Sequence, residues 1–191
     1  MKVVAFNGSA RKNGNTQHLI DHVLAELRAQ GIETESVSLA GKNMRGCMAC
    51  LKCFTHQDKR CTVDLDFLNE CVEKMLEADA IILGSPTYFA NVSSEMKALI
   101  DRAGMVSKAN GDMLARKVGA GVVAVRRGGA QQVFNALNAF FLIGQMVVVG
   151  SSYWNVGFGL NQGDVENDAE GVQTMQTLGR NMAWLLKKLH A

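Results

Sequence analysis

Four cysteines fall within 15 consecutive residues, at Cys47, Cys50, Cys53 and Cys61, in a C-x2-C-x2-C-x7-C spacing. Thiolates bind soft metals and exchange electrons. Three closely spaced thiolates with a fourth one short loop away can surround a [4Fe-4S] cluster. A metal-free, redox-active thiol group fits the same spacing. So does tetrahedral zinc, with His56 as a possible substitute ligand. The bacterial-ferredoxin arrangement fits less well, because its fourth ligand is remote and precedes a proline. Lys42, Arg45, Lys52, Lys59 and Arg60 lie around the cysteines against Asp58, a balance that offsets thiolate charge or simply solvates a loop. The fifth cysteine, Cys71, lies on the apolar face of a predicted helix and reads as packing.

Two further segments carry chemistry. Asn7-Gly8-Ser9-Ala10-Arg11-Lys12-Asn13-Gly14-Asn15-Thr16 follows an apolar run and precedes a helical pattern. It is crowded with hydroxyl, amide and guanidinium donors, and a helix N-terminus adds free N–H groups suited to a phosphate. It lacks the Gly-Lys-Ser/Thr end of a P-loop and the G-x-G-x-x-G of a dinucleotide site. Gly119-Ala120-Gly121-Val122-Val123-Ala124 does match G-x-G-x-x-A, but it lies inside an apolar strand and opens no helix. The second segment is Gly84-Ser85-Pro86-Thr87-Tyr88-Phe89-Ala90-Asn91-Val92-Ser93. Pro86, the only proline, imposes a rigid exit from a strand. Two adjacent aromatics in a loop suit a planar apolar ligand, a buried tuck or a subunit contact.

The elements that must position these segments alternate along the chain. Strand-like runs cover 3–7, 34–39, 80–83, 118–125 and 146–149. Helical spacing covers 15–30, 67–76, 93–102, 130–143 and about 169–189. Five strands alternating with five helices predict an α/β fold whose parallel sheet is covered on both faces. In the strand order 2-1-3-4-5, strands one and three are neighbours at the switch point where ligands bind. One loop there suits a monophosphate and the other a flat ring, a pairing that describes FMN better than ATP or a dinucleotide. The stretches 40–64, 105–116 and 151–168 read as irregular, and long loops of this kind are often functional.

Bulk properties exclude other classes. A net charge of +2, evenly spread, gives no case for nucleic acid or an acidic membrane surface. No segment reaches the roughly 18 unbroken apolar residues of a membrane span. The N-terminal run is a strand rather than a signal peptide, so a cytoplasmic, single-domain chain (1–191) with a cysteine-rich loop at about 40–64 is expected. The sequon Asn91-Val92-Ser93 therefore carries no weight. His18, His22 and His190 read as surface residues.

The two long loops, with Ser94–Arg102 after the second, resemble the flavin loops of the NAD(P)H-dependent FMN reductase family. With the cysteine motif, the chain is similar to the iron–sulfur flavoproteins within it. The resemblance runs to about Gly150. It implies a flavodoxin-like three-layer sandwich. It implies that Ser9, Arg11, Asn15 and Thr16 hold the FMN phosphate, and that Pro86, Thr87, Tyr88, Phe89 and Asn91 line the isoalloxazine ring and ribityl chain. A third loop, Arg127-Gly128-Gly129, would close on the flavin, and Cys47, Cys50, Cys53 and Cys61 would ligate a cluster. The flavin does the chemistry in such proteins, so no catalytic side chain is expected. NAD(P)H would supply electrons to an acceptor such as a quinone or flavin; the alternative is an electron carrier loaded by ferredoxin through the cluster. A homodimer or homotetramer is implied.

Overall fold

The computed structural model describes all 191 residues. Along the chain run β1 (Lys2–Asn7), α1 (Asn15–Ala29), β2 (Glu33–Ser38), α2 (Lys52–His56), α3 (Leu68–Glu77), β3 (Ala80–Pro86), α4 (Ser94–Ala109), β4 (Val118–Val125), α5 (Ala130–Ile143), β5 (Val147–Val148), β6 (Val156–Phe158), a 3-10 turn (Asp164–Asn167) and α6 (Ala169–Leu189). The sheet is parallel throughout, in the order β2-β1-β3-β4-β5, with β6 also on β4. β3 and β4 are buried at every residue, as strands covered on both faces must be.

Alternation along each strand divides the core in two. Val3, Ala5, Ala80 and Ile82 pack with α1 and α6 through Leu19, Val23, Met175 and Leu178. Val4, Phe6, Ile81 and Leu83 pack with α3, α4 and α5 through Met75, Leu99 and Leu137. The expected three layers are therefore present. No helix is long and apolar enough to cross a membrane.

The structure departs from the expected elements in three places. The fifth strand is split: β5 pairs with the start of β4, the chain leaves the sheet, and β6 returns to pair Val156–Phe158 with Val123–Val125. The stretch 151–168 is thus partly strand, and its three paired residues are too few to show an alternating pattern. Helix α4 continues past Arg102 to Ala109, because Ala103, Val106 and Ala109 keep its buried face going. It stops where Gly111 takes φ +80°. The single turn α2 lies inside the cysteine loop and buries nothing, so no periodicity announces it.

Two helical glycines behave oppositely. A Cβ on Gly179 of α6 would lie 2.6 Å from the Val23 carbonyl oxygen of α1, a backbone atom that cannot swing away. Gly179→Val should therefore separate the two helices and cost about 1–3 kcal/mol in urea unfolding. A Cβ on Gly104 of α4 would meet only Phe140, at an ordinary 3.7 Å. Gly104→Ala should stabilise by about 0.5–1 kcal/mol through helix propensity. Equal effects of the two changes would refute the close approach of α1 and α6.

Candidate functional site

The loops after β1 and β3 are tied to each other at the C-terminal edge of the sheet. The Gly8 amide donates to the Gly84 carbonyl at 2.8 Å. Ser93, the N-cap of α4, accepts from the Met96 amide at 3.2 Å and donates its hydroxyl to the Gly8 carbonyl at 2.6 Å. Its own amide donates to Ser85 Oγ at 3.1 Å. A Cβ on Gly8 would lie 2.9 Å from Ser93 Oγ, so only glycine lets the loops approach this closely. Buried Asn7 accepts the Ser9 amide at 2.9 Å and turns the chain sharply out of β1.

Between these loops lies a cavity of about 160 Å³, lined by Ser9, Arg11, Asn15, Thr16, Pro86, Thr87 and Tyr88, by Ala124–Arg126 at the end of β4, and by Gly159 and Leu160. No side chain caps the N-terminus of α1 at its edge. The hydroxyls of Thr16 and Thr87 are buried with no hydrogen-bond partner. Orphaned buried hydroxyls are uncommon and costly, and a ligand with acceptor oxygens satisfies them.

The segment after β6 closes the cavity from the side. Asn15 Nδ2 donates to the Asn161 carbonyl and its Oδ1 accepts the Gly163 amide, both at 2.9 Å. Arg11 reaches the Leu160 carbonyl at 3.3 Å. Glu166 clamps the segment to α1, meeting His18 Nδ1 at 2.8 Å and His22 Nε2 at 2.9 Å. The hydrogen bond from His22, helped by that from His18, holds the Glu166 carboxyl below its usual range despite partial burial. A lowered carboxyl pKa gives stability that is present above the unfolded value and lost as pH falls through the folded one. Amide protection across 159–166, taken relative to the intrinsic exchange rate at each pH, should therefore fall on acidification below about pH 4–5. Glu166→Gln should show the lower protection already at neutral pH, and a profile matching the unaltered chain would remove the clamp.

The four clustered cysteines sit elsewhere, on a loop held against α4. All four line one small cavity of about 20 Å³ with Met48, Ala49, Val63, Arg102 and Met105. Cys47 and Cys50 are exposed, and Cys53 and Cys61 are half-buried. Burial pushes the Cys53 thiol up, with the neighbouring Cys61 and Cys50 adding to it. The Ala49 amide donates to Cys47 Sγ at 3.4 Å, and Ala49 and Leu51 take positive φ, curling the chain around the sulfurs. No three metal-binding side chains converge on a single point. Cys71 is outside this loop, fully buried on the inner face of α3, its thiol pushed up to about 12 by that burial.

The sequence and the fold of the chain are matched by known proteins. The family model described as NADPH-dependent FMN reductase matches residues 1–161. The chain belongs to that family. An iron–sulfur flavoprotein of Methanocaldococcus jannaschii is 40% identical over 195 residues, covering 98% of both chains. An iron–sulfur flavoprotein of Methanosarcina thermophila is 32% identical, covering 98% of this chain and 96% of its own. Among solved structures, the flavodoxin-like WrbA-like protein of Agrobacterium tumefaciens superposes with a TM-score of 0.65 at 15% identity, covering 98% and 97% of the two chains, and so shares the fold.

As a member of the FMN reductase family the chain is an FMN-binding, flavodoxin-like oxidoreductase, and its residues fit that cofactor. The cavity supplies two orphaned hydroxyls, the Arg11 guanidinium and an uncapped helix N-terminus. The structure gathers Ser9, Arg11, Asn15, Thr16, Pro86, Thr87 and Tyr88 around it, and it leaves four expected residues outside the lining. Phe89 is fully exposed at φ +45°, turned outward by the tight reversal in which the Tyr88 and Asn91 backbones pair. Asn91 is spent on that reversal, accepting the Val92 amide at 2.8 Å. Gly129, at φ +87°, packs against Ala90, where a Cβ would lie 3.0 Å from the Cα atom. Gly128 sits beside it in the same turn. Arg126, Gly159 and Leu160 line the cavity without having been singled out. For Arg126 the sequence gives a signal, a charge directly after a fully apolar strand. For Gly159 and Leu160 it gives none, since only the return of β6 brings them there.

Proposed function

We propose that this chain is an iron–sulfur flavoprotein, passing electrons between FMN and a [4Fe-4S] cluster held by Cys47, Cys50, Cys53 and Cys61. The observation that carries this reading is that all four cysteines line one cavity with an amide and a guanidinium aimed at two of the sulfurs. Four thiols around one cavity match the four-cysteine ligation of a [4Fe-4S] cluster. The names of the similar archaeal proteins support the same assignment. When bound, the flavin handles electron pairs and the cluster single electrons.

The protein's part is binding and insulation. Ser9, Arg11, Asn15, Thr16 and the start of α1 would hold the phosphate. Pro86, Thr87 and Tyr88 would border the ring, and Arg126 places positive charge on the same cavity. Anaerobic purification with FMN, iron and sulfide measured per chain tests the reading: about four irons and four sulfides beside one FMN are expected. FMN without iron or sulfide, even after reconstitution, would withdraw it.

The family match favours a reduced nicotinamide as electron source, with a quinone or flavin as acceptor; ferredoxin is the rival source. Anaerobic mixing of the loaded protein with NADH, NADPH and reduced ferredoxin separates them by which one bleaches the flavin. A homodimer or homotetramer belongs to the same reading. The groove between α4 and α5, bordered by exposed Leu142 and Ile143, supports it, and light scattering measures it.

A further inference from the structure

Arg102 is the one charged residue among the fully buried side chains, 2% exposed in the middle of the apolar face of α4. Burying a guanidinium is expensive unless its donors are satisfied and its charge is balanced. Here both conditions are met by the cysteine loop. Nη1 donates to the Arg45 carbonyl at 3.1 Å and to the Asp66 carboxylate. Nη2 donates to the Val63 carbonyl at 2.8 Å and to Cys61 Sγ at 3.3 Å. Asp66, with its side chain only 4% exposed, also accepts the Arg45 amide at 3.2 Å and the Leu68 amide at 3.3 Å. Arg45 precedes the first clustered cysteine by two residues and Val63 follows the last by two. One side chain therefore ties both ends of the loop to α4 and also touches a sulfur.

Holding the loop would not by itself require a charge on the sulfur. Two carbonyls are bonded already, and Asn69 separately holds Cys61 through its amide at 2.8 Å and its carbonyl at 2.9 Å. We propose that Arg102 is a positioning residue whose fixed positive charge, delivered to Cys61 and moderated by Asp66, sets the reduction potential of the cluster. Reduction by one electron makes a thiolate-bound cluster more negative by one unit. A buried cation bonded to a ligand sulfur stabilises that state, and hydrogen bonds to the sulfurs are a known lever on potential. Asp66 acts in the opposite sense. The inference rests on the cluster reading given above.

The test is a potentiometric titration of the reconstituted protein, following the cluster by electron paramagnetic resonance and the flavin by absorbance in the same sample. Arg102→Gln should shift the cluster potential downward and Asp66→Asn should shift it upward, with the flavin potential moving less in both. Cluster potentials that stay at the original value in variants retaining full iron and sulfide would make Arg102 a structural tie alone and overturn the proposal. Should Arg102→Gln fail to fold, the near-isosteric Asp66→Asn decides: an upward shift supports the proposal, and no shift or a downward one overturns it. Failure of the unaltered chain to take up iron and sulfide defeats the cluster reading itself, and the proposal with it. That outcome is distinguished by metal content before any potential is measured.

Discussion

Thr16→Val should weaken FMN binding by roughly tenfold or more while leaving the apoprotein at least as stable as before. The two halves of this expectation have one cause. Thr16 is 1% exposed, its hydroxyl has no partner, and it lines the cavity at the first turn of α1. A hydroxyl held dry and unpaired costs the empty protein about 1–3 kcal/mol, and valine of the same shape removes that cost. Bound to a phosphate oxygen, the same hydroxyl contributes a charge-assisted bond of about 1.5–3 kcal/mol, which is tenfold to a hundredfold in affinity. A residue that merely packs shows the reverse pattern, with little change in affinity and a lower apoprotein stability. Titration calorimetry with FMN and urea unfolding of the apoprotein read both quantities. Unchanged affinity would move the phosphate away from this end of α1.

The site was legible in the sequence to the extent that local chemistry dictates it. The strands before both loops are continuous apolar runs with no competing periodicity, and the parallel order that brings the loops together follows from their alternation with helices. Ser9, Thr16, Pro86 and Thr87 could therefore be named. Phe89 and Asn91 show the limit of that logic. Their types suit a flat ligand, but the reversal at Phe89 (φ +45°) and Ala90 (φ +59°) decides where they point, and side-chain type carries little information about it. The split fifth strand was hidden for another reason. β6 owes its place to hydrogen bonds with β4 and to Gly157, where a Cβ would collide with Leu19 at 2.6 Å, rather than to any pattern of its own.

Arg102 left a trace that pattern reading discards. It falls among Leu99, Ala103 and Val106 on a face that is otherwise apolar, and a lone charge there ends a predicted helix more readily than it suggests a buried partner. The partners, Asp66 and the carbonyls of Arg45 and Val63, are 36 to 57 residues away in sequence. Burial opposes ionisation of Asp66, yet the hydrogen bonds from Arg102 and from the Arg45 and Leu68 amides hold its carboxyl below the usual range. Both charges therefore persist at neutral pH, and the pair can anchor the loop without protonating away.

Cys50→Ala and Cys71→Ala should give opposite results, and the contrast separates metal ligation from packing. Cys50 is exposed and lines the thiol cavity. Its loss removes one of the four proposed ligands but little buried surface, so unfolding should change by less than about 0.5 kcal/mol. Iron and sulfide retained after reconstitution should fall to a small fraction, or to a cluster missing one iron. FMN should remain at one per chain, because none of the four cysteines borders the flavin cavity. Electron flow through the cluster should be abolished with it. Cys71 is sealed in the core with Leu68, Val72 and Met75. Cys71→Ala should cost about 1–3 kcal/mol as a packing defect while keeping iron, sulfide and FMN intact. Full metal content in Cys50→Ala would leave the loop as a thiol group without a cluster. Loss of FMN from that variant would mean that the two cavities are coupled more tightly than their separate linings imply.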